Sequence, residues 1–183
     1  MKEISLHIMD IAQNSIVAEA TQIKVIMRLS KSDNSLVLII EDNGRGMDEE
    51  MVKGVLSPFV TTRTTRRVGL GIPLLSAGAQ ATGGSFNIES ELGKGTSVEA
   101  KYVLNHLDRP PIGDFSGTMH TLIICNPDID FYIEFDDDEN QNILDTTEMR
   151  VVLGPEIALD SPDVSLWIKE NLEELFPAEY AEV

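Results

Sequence analysis

The stretch VLIIEDNGRGM, residues 37–47, constrains the fold most. Four apolar residues run unbroken into Glu41, Asp42 and Asn43, and Gly44 and Gly46 follow with Arg45 between them. A short apolar run of this kind reads as a buried strand. It leaves the core on an acid and passes at once into a backbone free to bend almost anywhere. An acid at the end of a buried strand can accept a hydrogen bond from the amino group of a flat ligand. Glycines beside it let the backbone pass close to that ligand's plane. A plain turn also uses Asp-Asn-Gly, so the stretch gains meaning only from its surroundings.

The 183 residues suit one domain, or one domain with a sizeable appendage. At 42% hydrophobic the chain can bury a core, and no run of about 18 apolar residues predicts a membrane span. The N-terminus MKEISLHIMD carries acids too early for a signal peptide and offers no small-residue cleavage site. Cys125 is the only cysteine, so no internal disulfide forms, and a reduced, cytoplasmic setting is expected. The net charge of −17 is unevenly spread: residues 1–104 carry 11 Lys and Arg against 12 Asp and Glu, residues 105–183 carry 3 against 19. That acidity disfavours nucleic acid as a partner. It suits either a basic protein partner or a solvated face.

Periodicity predicts a helix over 3–20, with Ile4, Ile8, Ile11, Ala12, Ser15 and Ile16 on one arc. Strands over 22–29 and 36–41 flank the turn SKSDNS and form a hairpin. A short helix over 48–56 and a polar, basic segment over 57–68 follow. A helix over 70–82 has Pro73 in its first turn and Gly83–Gly84 at its end. Strands over 85–90 and 96–104 complete a two-layer α/β sandwich of α+β class with a mostly antiparallel sheet. Residues 105–117 read as a linker. Beyond it strands are expected near 118–125, 130–135 and 147–153, then a helix begun by Ser161 and Pro162. The run DDDE at 136–139 lacks the alternating acids and glycine of a calcium loop and reads as a hairpin tip. On the last helix Val164, Trp167, Ile168, Leu172 and Leu175 form an apolar stripe, suited to the small sheet beside it or to a partner or dimer surface.

Three further features carry possible chemistry. Asp10 and Asn14, four apart, share one helix face and can together orient a water and ligate a metal, although such a pair is also common helix-surface polarity. Gly69 and Gly71 precede a helix whose free N–H groups would suit phosphates, with Arg63, Arg66 and Arg67 just upstream. GKGT at 93–96 is a turn feeding the last strand of the sandwich.

Taken in order, these stretches resemble the boxes of the GHKL ATPases: gyrase, the heat-shock chaperone, histidine kinases and the mismatch-repair MutL proteins. DIAQNSIVAEAT (10–21) is similar to their N box and DNGRGM (42–47) to the first glycine box. SPFVTTR (57–63) is similar to the phenylalanine box of histidine kinases, GLGI (69–72) to the second glycine box and GKGT to the third. The resemblance covers residues 1–104 and implies the Bergerat ATP-binding fold, with the acidic α+β segment 118–183 as an extension of unknown role. It implies ATP and Mg²⁺ as ligands. Asp42 would read the adenine amino group, and Gly44 and Gly46 would let the loop wrap the nucleotide. Thr96 would support the adenine edge through water, and Asn14 would ligate Mg²⁺. Ala18, Met47 and Leu70 would line the pocket. Gly69 and Gly71 would present N–H groups to the phosphates, and 57–68 would form a lid.

Two positions depart from the family pattern. Asp10 stands where hydrolysing members carry Glu, one methylene longer; it can still serve as a general base. Arg67 stands where histidine kinases carry the first glycine of GTGLGL, which stiffens the hinge and offers a contact to the γ-phosphate. The box starts within ten residues of Met1, so a phosphoacceptor helix ahead of it is not expected, and His7 reads as structural. His106 and His120 have no phosphoacceptor context, and three scattered histidines make no metal site. Three functions fit: a stand-alone protein kinase or regulator acting on a protein partner, a slow ATPase switch, or a non-catalytic ATP sensor. A homodimer is compatible with each.

Overall fold

A computed structural model describes residues 3–56 and 70–182 of the chain. The predicted lid and its arginines Arg63, Arg66 and Arg67, together with Gly69, lie outside the described residues.

Helix α1 (Ile4–Val17) buries Ile4, Ile8, Ile11, Ala12 and Ser15, the arc set by its periodicity. Its first turn has no side-chain cap. The N–H groups of Ile4 and Ser5 instead donate to the carbonyls of Pro111 and Ile112, each at 2.9 Å, which satisfies donors a helix start leaves orphaned. Strands β1 (Gln22–Ser30) and β2 (Ser35–Asp42) form the expected antiparallel hairpin, with Ile23 opposite Asp42 and Ser30 opposite Ser35. In β2, Leu36, Leu38 and Ile40 point into the core, and two-residue periodicity puts Asp42 on the same face. Helix α2 (Glu49–Leu56) starts on two acids that suit its positive end.

Helix α3 (Gly71–Ala81) ends in the Gly83–Gly84 pair, whose N–H groups return to Gln80 and Ala79. Strands β3 (Ser85–Glu91) and β4 (Gly95–Val103) pair with each other, and β4 pairs with β2.

Beyond residue 104 the architecture differs from the expected one. The segment 118–125 is not a strand. Residues Phe115–Cys125 form helix α4, because Asp114 caps it by accepting from Gly117 N–H at 2.8 Å and Phe115, Met119, Leu122 and Ile123 recur at helical spacing. His120 therefore sits on a helix. The strand expected at 130–135 is β5 (Asp130–Asp136). The strand expected at 147–153 is helix α5 (Thr146–Leu153), whose start is fixed by Asp145 accepting from Thr147 N–H, and the strand lies just before it as β6 (Gln141–Asp145). In both cases branched apolar residues favoured a strand, and a short acidic cap decided for the helix. The acids of 136–139 do form the β5–β6 tip, where Asp138 accepts from Ser30 Oγ and Lys31 N–H at the tip of the first hairpin.

One six-stranded sheet results, in the order β3-β4-β2-β1-β5-β6. All neighbours are antiparallel except β1 and β5, which run parallel from Gln22 beside Asp130 to Arg28 beside Asp136. Helix α6 (Pro162–Leu175) packs on α4 and β6 and buries Val164, Ile168, Leu172 and Leu175, so the predicted stripe serves the chain's own core. Trp167 is the exception and stays 49% exposed. Phe135, fully buried, meets Phe176 edge-on at 4.9 Å and Tyr180 at 5.2 Å between ring centroids.

Candidate functional site

At the end of β2 the Asp42 carboxylate is held from two sides. Ser15 Oγ donates to its Oδ2 at 2.6 Å and Gly44 N–H to its Oδ1 at 2.9 Å. Ser15 lies on the buried arc of α1, so its hydroxyl needs a partner, and Asp42 supplies one. The loop after Asp42 is stitched down as well. Asn43 Oδ1 accepts from the N–H groups of Thr21 and Gln22, each at 2.9 Å. Arg45 reaches Ala18 O through its backbone and Val17 O through its guanidinium.

The glycines are required by space. A Cβ on Gly46, at φ +66°, would lie 2.0 Å from Glu91 O, and one on Gly95, at φ +109°, would lie 1.9 Å from Asp42 O. Gly44 sits against Ala18 with no room for a side chain.

Thr96 is Asp42's direct neighbour across the β2–β4 ladder. Its hydroxyl lies 2.9 Å from Ser90 Oγ, which accepts from Met47 N–H at 2.8 Å. A chain of contacts therefore links the first glycine loop, the end of β3 and Thr96. Asn14 lies half-buried on α1, beside Ser15 and one turn from Asp10. Asp10 faces the start of α3, where its Oδ2 accepts from Gly71 N–H at 2.7 Å, so the donor expected to face phosphate is engaged by the acid. Leu70, 61% exposed, is the α3 N-cap. The structure thus groups Asp42, Gly44, Gly46, Met47, Ala18 and Thr96 at one pole, and Asp10, Gly71 and Leu70 at another, with α1 and Asn14 joining them.

Three participants escape reading by motif: Ser15, Ser90 and His7. Ser15 could have been found as a hydroxyl in an otherwise apolar arc. His7 is buried one turn before Asp10, and its Nδ1 has no hydrogen-bond partner among the described residues. Burial is the chief cause that lowers its pKa below the ordinary value; the chain's positive N-terminus adds to this, and Gly71's backbone and Asp10's carboxylate partly offset it. His7 therefore walls the Asp10 end of the site as a buried imidazole.

Among the described residues no cluster of three or more His, Cys, Asp or Glu could hold a metal by itself, and no helix is long and apolar enough to cross a membrane. The oxygen donors of Asn14 and Asp10 on one helix face fit Mg²⁺, which takes few protein ligands and keeps waters or phosphate oxygens for the rest.

Residues 2–106 match the family model described as histidine kinase-, DNA gyrase B-, and HSP90-like ATPase. Sporulation kinase D of Bacillus subtilis is 32% identical over 91 residues, 50% of this chain and 18% of that protein. A putative sensor protein of Shewanella frigidimarina is 34% identical over 103 residues, 55% of this chain and 16% of that protein. The chain thus spans less than a fifth of the length of these relatives. A crystal structure of the N-terminal domain of a DNA repair protein superposes with a TM-score of 0.54 at 15% identity, over 97% of this chain and 58% of that one, a likeness of fold alone. The chain belongs to the histidine kinase-, DNA gyrase B- and HSP90-like ATPase family, the GHKL ATPases.

Proposed function

We propose that the chain binds ATP with Mg²⁺ and uses it to phosphorylate or switch a partner protein. The observation that carries the reading is Asp42: a strand-end acid, fixed by Ser15 and Gly44 N–H, beside Thr96, with glycines that clear the space next to it. A carboxylate whose two oxygens each already accept one hydrogen bond keeps its remaining lone pairs aimed, so a base amino group meets an acceptor that needs no reordering. Ala18, Met47 and Leu70 supply apolar surface for the base. Asn14 would hold Mg²⁺ there, and the metal's chemistry would be to offset the negative charge of the phosphates. Gly69 and Gly71 present N–H groups to the phosphates, and Arg67 answers their charge.

Asp10 has two states in this reading. While it accepts from Gly71 N–H it is a helix cap. Once that N–H turns to a phosphate, Asp10 is free to take the proton of an attacking hydroxyl or water. Asp is shorter than the Glu of hydrolysing relatives, which favours a protein hydroxyl or imidazole brought in by a partner over bound water. The second reading, a slow ATPase switch, rests on the same Asp10 within reach of the α3 start. The exposed lone Cys125 suits a reducing, cytoplasmic setting.

Overnight incubation with Mg-ATP, with ADP quantified, separates the readings. The kinase reading expects no ADP above the blank from the chain alone. ADP formed alone and lost in Asp10→Asn would replace it with the ATPase switch.

A further inference from the structure

A second concavity lies far along the sheet from Asp42. It is a groove of about 950 Å³ that runs along β6 between α5 and α6. Strand β6 is the last strand of the sheet, so its outer edge carries backbone donors and acceptors that no strand among the described residues pairs. Apolar side chains stay open around it: Ile143 is 51% exposed, Val152 85% and Trp167 49%. Trp167 is the one side chain of the α6 stripe left out of the core.

The charge on the groove is of one sign. Asp145, Glu148, Asp163 and Glu174 line it, with no Lys, Arg or His among the lining residues. No ion pair between described residues reaches these four acids. The three cations of residues 105–183 are engaged elsewhere: Arg150 with Asp130 at 2.8 Å, Lys169 with Glu173 at 3.9 Å, and Arg109 with the carbonyls of Leu104 and Pro110. A second copy meeting this groove with the same face would bring equal acidity and be repelled. An occupant must therefore supply cations, apolar side chains and an extended backbone.

We propose that this groove docks an extended segment of a partner protein in which apolar residues alternate with Lys or Arg. The segment adds to β6 as a seventh strand. Its apolar side chains meet Ile143, Val152 and Trp167, and its cations meet the four acids. Side chains alternate between the two faces of a strand, so one segment can present both sets. The proposal gives the protein partner of the proposed function a place to dock. It is tested without nucleotide, so either can fail while the other stands.

Trp167 is the only tryptophan of the chain, so its emission reports on the groove. The full chain is titrated at low salt with a nine-residue peptide alternating Val and Lys, and with the same peptide carrying Glu for Lys. The expected result is a saturable blue shift of Trp167 emission with the Lys peptide, at least tenfold weaker at 0.5 M salt, and none with the Glu peptide. Val152→Arg and Glu174→Arg change exposed positions and should each weaken the Lys peptide at least tenfold without lowering the melting temperature. Equal binding of both peptides, no shift with either, or unchanged affinity in both variants would overturn the proposal. A blue shift without peptide, tracking dimer formation in sedimentation, would also overturn it and make a second copy the occupant.

Discussion

The two poles of the one sheet handle their acids in opposite ways. At the β2–β4 pole, Asp42 is locked by a buried hydroxyl and a backbone N–H, and the glycines around it leave no room for side chains. At the β5–β6 pole, acids line an open groove with no cation beside them among the described residues. A fixed acid preorganises one ligand atom and serves recognition of a small molecule. A field of solvated acids steers a larger, cationic partner and sets its on-rate more than its geometry. The difference teaches that net charge alone says little about a site; what holds each carboxylate decides its use.

The comparison breaks most severely if the poles are independent units. Truncation after residue 108 strips β5 from its seven-residue pairing with β1 and removes Phe131, Ile133 and Phe135 from the core. We expect the fragment to lose its cooperative thermal transition, and a soluble fragment with an unchanged melting temperature would separate the poles. Phe135→Ala should cost about 3–5 kcal/mol in urea unfolding, since it empties a fully buried aromatic cluster. Gly95→Ala should cost about 2 kcal/mol or more, from a strained φ and a collision with Asp42 O. It should also weaken ATP binding, which Phe135→Ala should not do beyond its loss of folded protein. Ser15→Ala sharpens the contrast: the hydrogen bond to a charged but partly solvated acid is worth about 1 kcal/mol, so ATP affinity should fall about fivefold by calorimetry.

The smallest effect is His7. Its folded-state pKa is lowered, chiefly by burial, so the unfolded chain takes the proton more readily. Its contribution to stability is whole above the unfolded value near 6.5 and is lost as pH falls below it. Urea unfolding of the wild type should weaken between about pH 6.5 and 5 by more than in His7→Leu.

The backbone of the β2–β4 pole was largely legible in the sequence, because its boxes are spelled by residue types that geometry demands. Asp42 ends a strand, and Gly46 and Gly95 occupy backbone conformations closed to side chains. The contacts between boxes were not legible. Nothing local says that Ser15 will find Asp42 or that Asp10 will cap Gly71, since those pairs lie 27 and 61 residues apart. The acidic half was read less well. Its Leu-Ile-Ile and Arg-Val-Val runs carry strand propensity, and only the caps Asp114 and Asp145 turn them into helices. That β5 joins β1 in parallel was invisible too, because a parallel pair across a long connection leaves no turn signal.

The most direct measurement is calorimetric titration of Mg-ATP into the wild type and Asp42→Asn, with circular dichroism to confirm that both are folded. Saturable binding by the wild type and a loss of at least about a hundredfold in Asp42→Asn, roughly 2.7 kcal/mol, is the predicted result. Equal binding by the two proteins, or none by the folded wild type, would contradict the assignment of Asp42 as the group that reads the nucleotide.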